Sequence, residues 1–383
     1  MKRVWSLVVL AAVVTQLFTV GQAAELSTGG KSALLMDVAT GSVLYEHNSH
    51  EKLAPASVTK VMTMLLIMEA IDSGKIGWQD TVTASEAAAA KGGSQVYLKV
   101  GETMTVEEML KSIAVSSAND CACSMAEHIA GSEAAFVEQM NARAAELGMQ
   151  DTHFVNCTGL DDSAEAAQHR TSAHDIALMS RELMKNHPEI KRFTTIWMDT
   201  VRGGAFGLSN TNKLVRFYNG ATGLKTGFTS GAGYCLSATA EREGLELIAV
   251  VMGAETSQER FNSCKTMLDH GFASYALVTP ELESGPAEVP VKLGKQETVT
   301  VRLGESSPIL LDKGQRQSVA MEAQMEELIP APVSQGQRLG TLTVRSGEQV
   351  LSQIPLVAAE AVERLSWSDL FVAVLRRAAM AQC

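Results

Sequence analysis

The stretch APASVTKVMTMLLIMEA at residues 54–70 constrains the fold more than any other part of the sequence. Its apolar side chains fall on most sides of a helical projection: Val58, Val61, Met62, Leu65, Leu66 and Met68. A helix that is hydrophobic all round is stable only when other elements enclose it. We therefore expect a buried central helix, and a buried helix is a rigid support for chemistry.

Two polar residues, Ser57 and Lys60, stand at the start of this apolar run. A buried lysine is costly unless it is paired or neutral. One interpretation is a helix cap followed by a surface lysine. The other is a serine nucleophile with an amine base, because helix positions i and i+3 share a face and burial lowers the pKa of an amine.

The composition describes a folded, acidic protein. The 383 residues are 46% hydrophobic and 20% charged, which is typical of a globular chain long enough for more than one domain. The formal charge of −11 and the lack of a basic stripe with interleaved aromatic residues argue against a nucleic-acid partner.

The N-terminus has the pattern of a secretory signal peptide, which we assign to residues 1–23. Lys2 and Arg3 precede an apolar run at residues 4–20, and the small residues of GQAAE predict cleavage after Ala23 or Ala24. An uncleaved membrane anchor is the alternative, since the run approaches spanning length. Either way, we expect the body of the protein outside the cytoplasm.

Residues 24–278 predict an α+β domain with strands at both ends and helices between them. SALLMDVATGSVLYEHN reads as a hairpin, and the segment GLKTGFTSGAGYCLSATAEREGLELIAVVMGAE reads as strands around a Gly-rich loop and a turn at Glu243-Gly244. Helices are predicted after Thr105, where Glu108 completes a capping box, at residues 173–185, and as a closing helix at residues 257–277. A single antiparallel sheet built from both ends and covered by helices satisfies this order.

Residues 279–360 have a different pattern, with short alternating strands punctuated by Pro and Gly. They predict a small all-β domain of sandwich type. The tail at residues 361–383 predicts an amphipathic helix whose apolar face includes Trp367, Leu370 and Phe371. This helix either packs on the β domain or lies in a membrane surface, because its apolar run is too short to span a bilayer.

The cysteines give no metal-site pattern. Their spacing includes no CxxC motif, so we expect no zinc site and mostly free, partly buried thiols at Cys121, Cys123, Cys157, Cys235, Cys264 and Cys383.

Two further short motifs carry candidate chemistry, although each is weak alone. Ser117-Ala118-Asn119 falls in a predicted break between helices, where Ser and Asn are common for structural reasons. Lys225-Thr226-Gly227 falls on a predicted strand, where Gly227 would let a substrate backbone approach closely.

The three motifs SxxK, SxN and KTG occur in that order, each on the expected element, as in penicillin-binding proteins and serine β-lactamases. From about residue 32 to 275 the chain resembles the serine-type D-alanyl-D-alanine carboxypeptidases among the low-molecular-mass penicillin-binding proteins. Matching segments include APASVTKVMT, LGMQDTHFVNCTGLDD and GLKTGFTSGAGYCLSATA. The β domain and the tail also resemble that family, which favours a membrane-surface helix on the outer face of the cytoplasmic membrane.

The resemblance implies a set of catalytic roles. Ser57 would be the acylated nucleophile, Lys60 its general base and Ser117 the proton relay. The oxyanion hole would be formed by the backbone N–H groups of Ser57 and Phe228. Many relatives carry His at the position of Phe228, which makes that side chain a candidate for a changed rate or substrate range.

The resemblance also implies the substrate-binding residues. Asn119 and the strand Lys225, Thr226 and Gly227 would hold the peptide, and Arg260 with Thr226 would bind its terminal carboxylate. The alternative for Arg260 is a solvated helix residue.

The expected substrate is a peptidoglycan stem peptide ending in D-Ala-D-Ala, and β-lactams should acylate the same serine. The reaction requires no metal or organic cofactor. A β-lactamase is less favoured because no ExxLN stretch lies between Ser117 and Lys225. A transpeptidase would use the same acyl-enzyme with an amine acceptor. A non-catalytic cell-wall-binding or antibiotic-sensing protein could keep the same fold, but it would not need Lys60.

Overall fold

The computed structural model describes residues 26–282 and 287–372. Its α-helices are α1 Lys60–Asp72, α2 Glu86–Ala89, α3 Val106–Ser116, α4 Asn119–Ala130, α5 Glu133–Glu146, α6 Ala173–Asn186, α7 Lys191–Thr194, α8 Leu214–Phe217 and α9 Ser257–Ser274. Short 3₁₀ helices lie at Ala56–Thr59, Ala164–Gln168, Pro188–Ile190, Arg202–Gly204 and Lys313–Ser318. A further helical segment covers residues 367–372.

The strands fall into two groups along the chain. The first group is β1 Ser32–Asp37, β2 Val43–His47, β3 Thr81–Thr83, β4 Thr103–Thr105, β5 Met198–Val201, β6 Phe206–Ser209, β7 Ala221–Thr229, β8 Gly233–Arg242, β9 Leu245–Ala254 and β10 Tyr275–Val278. The second group is β11 Ala287–Lys292, β12 Thr298–Leu303, β13 Ile309–Asp312, β14 Val319–Met325, β15 Ile329–Pro330, β16 Arg338–Ser346 and β17 Gln349–Ala358. We call residues 26–278 the N-terminal unit and residues 287–364 the β unit.

The N-terminal unit is organised around a five-stranded antiparallel sheet in the order β2-β1-β9-β8-β7. The first strand of the chain thus pairs with β9, which follows more than two hundred residues later, so the sheet is built from both ends of the unit as the sequence predicts. β7 is the outer strand of this sheet, so one of its edges is free of sheet partners.

Both faces of this sheet are apolar because helices cover both of them. Leu34 and Met36 of β1 contribute to a core shared with α1, α3, α4 and α6. The alternate residues Ala33 and Leu35 contribute to a second core with α9. This period-two division is what a strand buried on both sides produces. Ten of the 13 residues of α1 are buried, which confirms the predicted central helix.

The β unit has its own core. Its strands form a six-stranded sheet in the order β14-β16-β17-β12-β11-β15. Alternate residues such as Val299 and Val301 are buried while their neighbours are partly or fully exposed. A separate short sheet pairs β10 of the N-terminal unit with β13 and so ties the two units together.

The predicted fold class, an α+β domain followed by a β domain, is confirmed. One predicted helix boundary needs correction. The closing helix ends at Ser274, and Tyr275–Val278 is a strand because it pairs with β13. The small hairpins β3-β4 and β5-β6 have no counterpart in the sequence prediction.

Five cysteines are free thiols, as expected: Cys121, Cys123, Cys157, Cys235 and Cys264. They are fully buried instead of partly buried. The predicted signal peptide, the last part of the tail helix and Cys383 lie outside the described residues. Among the helices of residues 26–282 and 287–372, none has the length and apolar character that crossing a bilayer requires.

Candidate active site

The turn that precedes α1 presents Ser57. This residue lies in the 3₁₀ helix Ala56–Thr59. The sequence predicts it within the central helix, but α1 begins only at Lys60. Side chains at i and i+3 eclipse each other in a 3₁₀ helix. Lys60 therefore faces Ser57, and its Nζ donates a hydrogen bond to Ser57 Oγ over 2.9 Å. We call residues 55–59 the nucleophile turn.

Lys60 is completely buried, although its amine is well placed for chemistry. Its Nζ also donates to the carbonyl oxygen of Thr158 over 2.8 Å. Burial lowers the pKa of Lys60 to about 7, while the nearby Cys157 and Asp120 oppose this shift. Near neutral pH a large part of the protein thus has a neutral amine, whose lone pair can accept the Ser57 proton. This excludes the surface-lysine interpretation.

The SxN motif occupies the junction between α3 and α4. Ser117 is buried in a left-handed conformation, with φ of 62°. Asn119 donates from its backbone N to Ser94 O and from Nδ2 to Gly92 O, both over 2.7 Å. Within the described residues, Asn119 Oδ1 is buried without a hydrogen-bond partner, so it is available to a substrate amide. In the same part of the chain, no hydrogen bond joins Ser117 to Lys60.

The KTG motif lies on β7, the edge strand of the sheet, and its glycine packs against the nucleophile turn. A Cβ on Gly227 would lie 2.5 Å from Pro55 O and 3.1 Å from Ser57 N. These are backbone atoms that cannot rotate away, so only glycine permits this approach. The structure therefore brings Gly227 and Ser57 together, as the resemblance implies.

Lys225 and Thr226 extend the same strand along the cleft. Lys225 is buried and its Nζ donates to Thr226 O over 2.9 Å. Burial lowers the pKa of Lys225 well below its usual value, and the charges of Lys60 and Arg260 lower it further. These three cationic groups are thus close enough to influence one another. Thr226 Oγ1 donates to Thr211 Oγ1 over 2.7 Å.

Arg260 is held against the KTG strand and is only 8% exposed, so it is not a solvated helix residue. From α9, its Nη1 donates to Gly227 O over 2.9 Å and to Cys235 O over 3.3 Å. Its Nε is buried without a partner among the described residues. A carboxylate oxygen is a suitable acceptor for such a group.

Phe228 forms an aromatic stack beside Arg260. Its ring is 53% exposed and lies 4.3 Å from the ring of Tyr234, measured between centroids. The guanidinium of Arg260 lies 5.2 Å from the centroid of Tyr234. Tyr234 thus contacts both the exposed ring of Phe228 and the guanidinium of Arg260.

The sequence reasoning gave no role to residues 156–159, which support Lys60. Asn156 Oδ1 accepts hydrogen bonds from the backbone N–H groups of Thr158 and Gly159, over 3.1 and 2.6 Å. This turn presents Thr158 O to Lys60. The spacing Asn-x-Thr-Gly is a turn signal, but nothing in it indicates which lysine the turn contacts.

One group of residues has the composition of a metal site, away from the cleft. The ligand atoms of Glu69, Glu182 and His187 lie within 4.8 Å of one another. Arg143 already bonds both glutamates, over 2.7 and 2.6 Å. We therefore interpret this group as an ion-pair network.

Sequence comparison identifies two families along the chain. The family Peptidase_S11, D-alanyl-D-alanine carboxypeptidase, matches residues 19–256. The family PBP5_C, penicillin-binding protein 5 C-terminal domain, matches residues 282–364. Among curated proteins, the chain is 45% identical over 358 residues to the D-alanyl-D-alanine carboxypeptidase DacF of Bacillus subtilis, covering 92% of this chain and 90% of DacF.

Solved structures give the same result. Penicillin-binding protein 5 from Haemophilus influenzae is 28% identical with a TM-score of 0.70, over 88% of this chain and 98% of that one. Penicillin-binding protein D2 from Listeria monocytogenes, in an ampicillin-bound form, is 32% identical with a TM-score of 0.57, over 64% of this chain and 99% of that one.

Proposed function

Since this chain belongs to the D-alanyl-D-alanine carboxypeptidase family Peptidase_S11, we propose that it removes the terminal D-Ala from peptidoglycan stem pentapeptides through an acyl-enzyme on Ser57. The observation that carries this mechanism is the buried Lys60 amine, 2.9 Å from the Ser57 hydroxyl. A serine is a weak nucleophile until a base takes its proton, and a lysine serves as that base only when it is neutral.

Substrate binding uses the second half of the cleft. The terminal carboxylate pairs with Arg260 and with the Thr226 hydroxyl, and the Lys225 side chain supports this strand. The buried amide oxygen of Asn119 accepts a hydrogen bond from a peptide N–H. Because β7 has a free edge beside the nucleophile turn, the stem peptide can lie along it as an added strand.

Acylation begins when Ser57 Oγ attacks the carbonyl carbon of the penultimate D-Ala and Lys60 takes the hydroxyl proton. The developing oxyanion accepts hydrogen bonds from the backbone N–H groups of Ser57 and Phe228. Removal of one such donor typically costs about 3–4 kcal/mol. The C–N bond then breaks: Ser117 gives its proton to the amine of the leaving D-Ala and takes the proton that Lys60 holds, which leaves Lys60 neutral for the next step.

Deacylation repeats these steps with water as the nucleophile. Lys60 takes a proton from the water, the ester bond to Ser57 breaks, and the serine regains its proton. β-Lactams present a strained amide and a carboxylate in a similar arrangement, so they should acylate Ser57 too. The ampicillin-bound form of the Listeria relative supports this part of the proposal.

The proposed location is the outer face of the cytoplasmic membrane. The signal peptide at residues 1–23 would export a catalytic domain at 24–278 and a β domain at 279–360. The tail helix at 361–383 would then lie in the membrane surface. Trp367 and Phe371, in the described part of that helix, are 89% and 66% exposed, as residues that enter a membrane must be.

Release of D-Ala from a D-Ala-D-Ala tripeptide by the purified protein tests the function. Wild type should release D-Ala, Ser57→Ala should not, and Ser73→Ala at the other end of α1 should match wild type. Mass spectrometry after incubation with penicillin should place one adduct on Ser57. An unmodified Ser57, or equal release by Ser57→Ala, would exclude this mechanism. Rapid penicillin hydrolysis would instead indicate a β-lactamase.

A further inference from the structure

A chain of three hydrogen bonds ends at the residue before Ser57. The backbone N–H of Val155 donates to His169 Nδ1 over 3.1 Å. His169 Nε2 lies 2.8 Å from Thr59 Oγ1, and Thr59 Oγ1 donates to Ala56 O over 2.8 Å. His169 and Thr59 are both buried. We call these bonds the His169 relay.

The two ends of the relay fix the direction of every bond in it. A backbone N–H only donates and a carbonyl oxygen only accepts, so His169 Nδ1 must be the acceptor and Nε2 must carry the proton. Thr59 therefore accepts from His169 and gives its own proton to Ala56 O. Only the neutral imidazole satisfies all three bonds, because an imidazolium would place an N–H against the N–H of Val155.

The surroundings of His169 favour this neutral form. Burial lowers the pKa of His169 to about 4, and the nearby charges of His153, Arg170 and Lys60 act in the same direction. The relay thus keeps its arrangement over the pH range in which Lys60 titrates.

The bond to Ala56 O acts on a strained backbone. Ala56 has φ of 48°, a left-handed conformation that a residue with a Cβ adopts only at a cost of about 1–3 kcal/mol. Gly159 lies directly against this carbonyl, since a Cβ at that position would overlap Ala56 O. The Ala56 carbonyl thus accepts the last bond of the relay and has Gly159 packed against it.

The orientation of this carbonyl also sets the orientation of a catalytic donor. The Ala56 C=O and the Ser57 N–H belong to one planar trans peptide group, so they point in opposite directions. Ser57 lies in the first turn of its helix, where N–H groups have no partner within the helix. Gly227 of the KTG strand lies close to Ser57 N. A rotation of this peptide group would misdirect the N–H.

We infer that His169 is a positioning residue for acylation: through Thr59 it fixes the Ala56–Ser57 peptide group and thereby aims the oxyanion donor Ser57 N–H. This inference rests on the proposed acyl-enzyme at Ser57. His169 is buried, and its hydrogen bonds reach the nucleophile turn through Thr59. Its effect should therefore fall on the step in which charge develops, and not on substrate binding.

The test compares four variants in two assays, acylation by penicillin and D-Ala release. His169→Leu removes both polar atoms, and Thr59→Val cuts the relay at its middle. His169→Gln keeps an acceptor and a donor about 2.2 Å apart, as in the imidazole ring. His153→Ala is the matched control, because His153 lies on the neighbouring bridge to Arg170 with an exposed side chain outside the relay.

We expect His169→Leu and Thr59→Val to lower kcat and the acylation rate roughly 10- to 100-fold, somewhat less than the loss of a whole oxyanion donor. KM should change by less than about twofold, because the carboxylate contacts remain. His169→Gln should recover most of the rate. His153→Ala should match wild type. Thermal unfolding of each variant verifies that it is folded at the assay temperature.

Three results would overturn the inference. One is a folded His169→Leu protein with the wild-type acylation rate. Another is a loss confined to KM, and the third is a His169→Gln protein as slow as His169→Leu. If His169→Leu does not fold, the acylation rates of Thr59→Val and wild type decide the inference, and equal rates overturn it. Failure of the proposed function would look different, since wild type itself would then carry no penicillin adduct on Ser57.

Discussion

The two units differ in the kind of side chain that they bury. Among the described residues, the buried polar and charged side chains all lie between Ser32 and Ser263, in the N-terminal unit. They include Lys60, Lys225 and Arg260 around the nucleophile turn. The β unit buries Val, Leu, Ile and Ala and keeps its polar side chains at the surface.

This difference separates the tasks of the two units. Burial of a charged or polar group reduces stability unless a partner compensates it, so a protein retains such groups where they have a use. In the N-terminal unit the burial of Lys60 supplies a neutral amine. In the β unit the period-two alternation supplies a stable core and nothing that titrates inside it. Substitutions in the two units should therefore affect different measurements.

Among substitutions that leave Ser57 and Lys60 in place, the largest effect on acylation should come from Gly227→Ala. The added Cβ would collide with Pro55 O and crowd Ser57 N, so β7 and the nucleophile turn must separate. A displacement of about 1 Å in an active site can reduce the rate about 100-fold, and we expect at least that loss in the penicillin acylation rate.

Gly207→Ala is the control for this substitution. Gly207 also lies on a strand of the N-terminal unit, but a Cβ there would meet no atom within 4 Å. The Gly207→Ala variant should react with penicillin at the wild-type rate. If Gly227→Ala retained full activity, the close approach of strand and turn would not matter for the reaction, and the contrast between the units would lose its main support.

The next effect is the pH dependence of acylation. The rate should fall about tenfold per pH unit below pH 7 and reach a plateau above it, because only the neutral Lys60 accepts the proton. If the acylation rate instead kept rising until near pH 10, as expected for a solvated lysine, that result would contradict the role of burial.

The same group affects folding with a defined sign. Lys60 loses its proton near pH 7 in the folded protein and near pH 10.5 when unfolded. Between these values the unfolded chain binds more protons, so the contribution of Lys60 to stability should rise with pH over that window. Calorimetry at pH 7 and 9, with Lys60→Met as the reference, measures this contribution.

A smaller effect is expected from Phe228→Ala. Its ring stacks on Tyr234, which in turn lies beneath the Arg260 guanidinium. An aromatic pair contributes about 0.5–1.5 kcal/mol beyond its buried area, which corresponds to roughly two- to tenfold. KM should rise by this factor for peptides with a free terminal carboxylate. A peptide amide lacks this carboxylate. If its KM rose by the same factor, the stack would not act through Arg260.

Sequence patterns predicted those parts of the fold that depend on local periodicity. The hairpin β1-β2, the capping box at Thr105 and the buried α1 are all encoded by neighbouring residues, and the structure confirms them. The strand β10 was predicted as the end of a helix because its partner β13 lies more than thirty residues further along the chain. Pairing between distant segments leaves little trace in local sequence.

The same limit applies to the site. Ser57 and Lys60 are recognisable because their spacing is local. Thr158 O and the His169 relay depend on how residues 155–169 pack against the nucleophile turn, about one hundred positions away. The buried state of Arg260 also depends on distant contacts, namely the carbonyl oxygens of β7 and β8.

The smallest effect on acylation should come from a core substitution in the β unit, Leu342→Ala. Leu342 is buried on β16, and removal of a buried leucine side chain costs about 2–5 kcal/mol. For a unit of this size that corresponds to a fall of at least about 8 °C in the midpoint of its unfolding transition. The acylation rate at a temperature well below this midpoint should stay within about twofold of wild type, because the strands around Leu342 bury no group that the reaction uses. Calorimetry and the penicillin assay on the same preparation measure both quantities. A loss of acylation parallel to the loss of stability would mean that the pairing of β10 with β13 transmits disorder to the cleft, so that the two units act as one.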